Sequence, residues 1–144
     1  DHAQVAACAG MADYDDALAT HHGIGGSAAD RPAGVHDLMR AHETALLQPL
    51  LDYLKERNSV RLIGPSDAAQ KAPTVAVELP GPGEDAAAAL AQHGIMAGGG
   101  DFYGARPLQS MGIDLKKGVL RLSFVHYTSP DEIDRLLNAL DEVL

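Results

Sequence analysis

The chain has 144 residues, 46% of them hydrophobic and 22% charged, with a formal net charge of −9. That length suits one domain with a single, mainly aliphatic core, and the lack of any basic run excludes a surface built to neutralise nucleic-acid phosphates or anionic lipid. No apolar stretch reaches the roughly 20 residues that cross a bilayer, and Asp1-His2-Ala3 has neither the basic nor the apolar region of a secretory leader. Cys8 stands alone and can form no internal disulfide, so a cytoplasmic chain is expected. Because the sequence does not begin with Met, further residues are expected to precede Asp1 in the translated protein.

In chain order, residues 1–19 read as an Ala-rich helix with few large apolar side chains, chiefly Val5, Cys8, Met11 and Leu18. Residues 21–32 carry Gly, Ser and Pro breakers and predict a mobile connector. From residue 33 to 57, Val35, Leu38, Met39, His42, Leu46, Leu50 and Leu54 recur at spacings of three and four, the mark of an amphipathic helix. Pro49 removes a backbone hydrogen bond inside it, which predicts a kink or a break into two helices near residues 45–48.

Residues 59–63 and 74–79 are short β-rich segments closed by Gly-Pro turns. Residues 84–93 predict an Ala-rich helix with Glu84 and Asp85 in its first turn and Gly94 as its stop. A short strand over 95–97, a glycine-rich loop over 98–104 and a central strand over 119–125 follow. In the last element Ser129 is an N-cap, Pro130 occupies the first turn and Glu132 completes a capping box. Its stripe of Ile133, Leu136, Leu137, Leu140 and Leu144 contributes roughly 8–15 kcal/mol of gross burial energy, before chain entropy is subtracted. Such a helix must dock on a sheet. The expected fold class is therefore α+β, a small mixed or antiparallel sheet covered on one face by helices and preceded by a helix and linker. Residues 1–30 form one unit of that organisation and residues 31–144 the other.

The segment from Gly118 to Leu144 carries Arg121-Leu122-Ser123, then His126-Tyr127-Thr128, then Glu132-Ile133-Asp134-Arg135-Leu136. It resembles the C-terminal signature of class V aminotransferases and cysteine desulfurases. Arg31-Pro32 before a long helix with Glu43 and Leu46-Leu47, a strand closed by Gly64, Pro73-Thr74-Val75-Ala76-Val77, and Gly94-Ile95 fit the same family in the same order. The resemblance implies a fold-type I enzyme dependent on pyridoxal phosphate, with residues 31–144 as its small C-terminal domain and residues 1–30 as a remnant of the junction with a large domain. It implies as partners that large domain, a second copy of the parent in a homodimer and a small amino-acid substrate, with no nucleic acid and no membrane.

Arg121 matches the family arginine that grips the substrate's α-carboxylate, for which a planar fork of donors is well suited. Tyr103 falls near the place of the desulfurase nucleophile, where residues 98–107 contain no Cys; a thiolate is required for attack on sulfur, so the usual persulfide route is not expected. The resemblance also puts His126 beside the site. Cys8 lies far from that loop in sequence and is expected to be a small core residue. None of Lys55, Lys71, Lys116 and Lys117 matches the family's Schiff-base lysine, so no catalytic or cofactor-binding residue is expected in this chain, and no pyridoxal phosphate bound to it alone.

No metal site is expected. His21-His22 sit in a glycine-rich linker, and His42-Glu43 lacks the second His of a zincin helix. Gly98-Gly99-Gly100 is not followed by the Lys-[Ser/Thr] of a phosphate loop, and the Asp131, Glu132, Asp134 cluster reads as a solvated helix start. The alternative to an enzyme domain is a free-standing α+β binding or regulatory module without chemistry.

Overall fold

The computed structural model describes residues 2–144 and divides into two compact units, one ending at His42 and the other spanning Glu43–Leu144. Asp1, included in the predicted first helix, lies outside the described residues.

In the first unit α1 runs His2–His21, and α2 starts at Arg31 to continue to Lys55. Between them the connector turns through Gly23 and Gly26, both at positive φ. Asp30 closes the turn by accepting from the Ser27 amide at 3.1 Å and the Ser27 hydroxyl at 2.7 Å; these bonds favour the carboxylate and hold its pKa below the ordinary value. Arg31 pairs with Asp16 at 2.8 Å, tying the start of α2 to α1. Ala19 and Val35 are buried, whereas Val5, Cys8 and Met11 are exposed. The expectation of Cys8 as a core residue is thus corrected: α1 is Ala-rich and buries Ala19 near its end, while Cys8 is exposed with its thiol donating to the Gln4 carbonyl one turn back, at 3.6 Å.

The second unit holds four strands, β1 (Arg61–Ile63), β2 (Thr74–Glu78), β3 (Gly98–Gly100) and β4 (Val119–Ser123), in the order β1-β2-β4-β3 with every pairing antiparallel. Helices α3 (Gly83–Gln92), α4 (Ala105–Ser110) and α5 (Pro130–Val143) complete it. Alternation sorts the strands' side chains onto two faces. Val75, Val77, Leu120 and Leu122 point toward Leu47, Leu50, Leu51 and Leu54 of α2, Leu90 of α3, and Leu136, Ala139 and Leu140 of α5. This is the helix-covered face of an α+β sheet, as the pattern predicts. A smaller cluster of Leu108, Ile113 and Val119, with Ile63, Ala76 and Phe102, occupies part of the opposite face under α4.

The structure departs from expectation in three places. Helix α2 is the long helix expected, without the break into two at Pro49, but Leu47 and Leu51 join its buried side, so the apolar stripe is wider than the one periodic row. Helix α4 was not expected; Pro107 sits in its first turn, where the missing N–H leaves no bond unmade. The third strand falls on Gly98–Gly100, not on residues 95–97. Close packing explains that shift. A Cβ on Gly99 would lie 2.2 Å from the Glu84 backbone nitrogen and one on Gly83 2.3 Å from the Val119 carbonyl oxygen, so α3 rests on β3 and β4 at a separation that admits no side chain. The predicted capping box of α5 is present: the Ser129 hydroxyl accepts from the Glu132 amide, and Glu132 accepts from the Ser129 amide at 2.8 Å.

Candidate functional site

Arg121 alternates with the buried Leu120 and Leu122 and so must project from the face of the sheet that α2, α3 and α5 leave uncovered. Its cross-strand neighbours are Ala76 on β2 and Gly98 on β3. Both are small, so nothing crowds the long side chain from either flank. The guanidinium lies over the Phe102 ring, 4.0 Å from the ring centre. Another arginine on this unit, Arg61, is occupied: it pairs with Glu78 at 3.0 Å and donates to the Met111 carbonyl at 3.1 Å. Among the described residues no carboxylate lies within ion-pairing distance of Arg121.

A shallow cavity of about 260 Å³ opens at this point, lined by Met96, Ala97, Gly98, Arg121 and Ser123. Ser123 stands two residues along β4 and presents its hydroxyl on the same face as the guanidinium. Met96 is 97% exposed and forms an apolar rim. The cavity can therefore hold a small anion with a short apolar or polar appendage: a fork of donors on one side, a hydroxyl beside it and backbone of a glycine strand behind.

Neither of the other two residues singled out from the sequence lines this cavity. Tyr103 is wholly exposed and follows Phe102 in a turn where both residues take left-handed φ angles, 50° for Phe102 and 61° for Tyr103. Asp101 holds that turn, its Oδ1 accepting from the Tyr103 amide at 3.0 Å and its carbonyl accepting from the Gly104 amide at 2.7 Å. His126 lies beyond the end of β4, half-buried, with its ring edge-on to Tyr127 at 5.3 Å. Phe102 was missed in the sequence. The available signal was an aromatic inside a glycine run, in a chain with only two Phe and four Tyr.

The four lysines stand elsewhere. Lys55 ends α2, Lys71 follows the short 3-10 turn Ala68–Gln70, and Lys116 and Lys117 precede β4, with Lys117 Nζ donating to the Pro80 carbonyl at 2.8 Å. Burial alone lowers the pKa of Lys71, but it lies outside the row of Arg121. No lysine is among the residues that line the cavity beside Arg121. Among the described residues, no three His, Cys, Asp or Glu side chains gather where they could hold a metal ion, and no helix is long and apolar enough to cross a membrane.

Residues 33–136 match the sequence model of the class-V aminotransferases. The chain belongs to that family. It is 30% identical over 121 residues to the aminotransferase-like protein FGM3 of Gibberella zeae, an alignment covering 80% of this chain and 30% of that protein. Among solved structures it is similar to the apo cysteine desulfurase of Thermococcus onnurineus NA1, with 27% identity, a TM-score of 0.66, and coverage of 80% of this chain and 30% of that one. The cysteine desulfurase CsdA of Escherichia coli, 23% identical with a TM-score of 0.62 over 76% of this chain and 26% of its own, shares the fold. The chain thus spans about a third or less of the length of the class-V relatives it matches.

Proposed function

We propose that residues 31–144 are the small C-terminal domain of a pyridoxal phosphate-dependent class-V enzyme of the desulfurase-like kind, acting on a small amino acid, with Arg121 as the grip on the substrate's α-carboxylate. The observation that carries this reading is the guanidinium on the uncovered sheet face, flanked by Ala76 and Gly98 and unmatched by any carboxylate of the described residues. Arg61 is engaged by Glu78, whereas an arginine at a cavity with spare donors suits an anion from outside. The cofactor supplies an electron sink for carbanion chemistry when bound, and its lysine would reside in polypeptide outside this chain. Residues 1–30 are then the junction with a large domain, and exposed Met96 at the rim of the cavity supplies apolar surface for that domain or the partner subunit to cover. Without a cysteine in residues 98–107, sulfur transfer through an enzyme persulfide is not part of this reading.

The test uses the full-length protein. It should show the absorbance of bound pyridoxal phosphate, and Arg121→Ala should raise KM for the amino-acid substrate. One lost charge-assisted pair, about 1.5–3 kcal/mol, corresponds to roughly a 10- to 150-fold rise. Arg121→Lys restores charge without the planar fork and should recover only part of it. A full-length protein that binds no pyridoxal phosphate, or that is indifferent to Arg121→Ala, would defeat the reading in favour of a binding or regulatory module.

A further inference from the structure

We infer that Phe102 is the positioning residue for Arg121, a ring clamped from below that fixes the direction in which the guanidinium presents its donors. The inference rests on the reading of Arg121 as a carboxylate grip. Three independent features immobilise the ring. It packs on the cluster of Leu108, Ile113 and Val119, the first from α4 and the last from β4. Its edge meets β3 so closely that a Cβ on Gly98 would lie 3.0 Å from both Cε1 and Cζ. Its backbone, with that of Tyr103, is left-handed, a conformation non-glycine residues adopt rarely and keep only where surrounding structure enforces it. Here Asp101 does so, through its bond to the Tyr103 amide at 3.0 Å.

The consequence falls on the arginine. Four rotatable side-chain bonds let an exposed arginine sample many directions, and among the described residues no carboxylate fixes this one. The ring supplies what a carboxylate would otherwise supply: a cation–π contact that holds the guanidinium by its flat face. A face contact leaves every N–H at the rim of the group unspent. A two-pronged ion pair would already occupy one edge of the fork. The arrangement therefore delivers an arginine that is both oriented and still able to make a two-pronged bond to an incoming carboxylate. Ala76 and Gly98 complete it by keeping the flanks clear.

The test is side-chain NMR of the arginine-labelled full-length protein with L-alanine as probe and L-alaninamide, which lacks the carboxylate, as control. In the wild type the Arg121 Nε–H proton should resonate upfield of an unstructured arginine, because it sits over a ring face. Phe102→Leu keeps apolar packing and should return it to the unstructured position, while Phe102→Tyr should preserve the shift. Saturating L-alanine should move the Arg121 signal in the wild type and in Phe102→Tyr and several-fold less in Phe102→Leu; L-alaninamide should move it in none. Backbone amide spectra report whether each variant is folded. Should Phe102→Leu fail to fold, Gly98→Ala pushes the same ring from its edge and should reduce the upfield shift. An Arg121 signal that ignores both substitutions overturns the positioning role. A signal that loses its ring shift as expected, yet answers L-alanine in neither wild type nor variant, instead sinks the carboxylate reading, leaving the stack as packing only.

Discussion

Replacing Gly99 with Ala tests the packing on which the site is built. The added methyl would sit 2.2 Å from the Glu84 nitrogen, 2.3 Å from the Gly83 carbonyl carbon and 2.4 Å from the Glu84 Cα, all backbone atoms that cannot swing aside. Restoring ordinary contact requires α3 and β3 to part by about 1 Å, loosening Leu90 in the core and shifting Gly98, the partner of Arg121. Overpacking of this kind costs about 1–3 kcal/mol, and an obstruction made of backbone belongs at the upper end. With a urea slope of roughly 1–3 kcal/mol per molar for a protein of this size, the unfolding midpoint should fall by about 1 M or more. Gly81→Ala is the control, since nothing lies within 4 Å of its Cβ position and its backbone is not left-handed; it should stay within about 0.5 kcal/mol of wild type. If both variants unfold at the wild-type midpoint with unchanged slope, the close seating of α3 on the glycine strand is wrong.

Leu140→Ala removes a fully buried side chain of α5 from the main cluster and should cost about 2–5 kcal/mol in the same urea experiment, whereas an exposed position of that helix such as Asp134 should tolerate Ala at little cost. The capping box should also be visible in acid: bonds from the Ser129 amide and hydroxyl hold the Glu132 pKa below its ordinary value. The stabilisation this brings is complete above the unfolded-state pKa of a glutamate and is lost as pH falls through the lower folded-state value. Glu132→Gln should flatten that part of the stability profile below about pH 4.5, and an unchanged acid limb would argue against the box.

What was legible in the sequence follows the strength of local signals. The start of helix α5 was readable to the residue because it is written in chemistry that acts over three positions, Ser129, Pro130 and Glu132, and much of its buried side lies in one apolar stripe. Strand β4 was readable because an aliphatic β-branched run has few other uses. Strand β3 was not. Three glycines have low strand propensity, and the reason they are a strand is tertiary: α3 approaches too closely for any side chain, and β4 supplies the ladder. Helix α4 escaped for a similar reason, since six residues with one buried leucine carry no periodicity.

The site divides along the same line. Arg121 could be named from its place in a family-like motif, and strand alternation alone puts it opposite Leu120 and Leu122. That Phe102 lies beneath it could not, because nineteen positions separate the two and the intervening chain passes through an unforeseen helix. The row of Ala76, Arg121 and Gly98 exists only once β2, β4 and β3 are in register. Slipping any one strand by a single residue would turn its side chains to the other face, exchanging Arg121 for Leu120 or Leu122 on the open side. The large side chains that hold the register, Val75, Val77, Leu120 and Leu122, all face the helices. The burial of one face therefore positions the charge on the other, and core substitutions at β2 or β4 should disturb the placement of Arg121 without touching it.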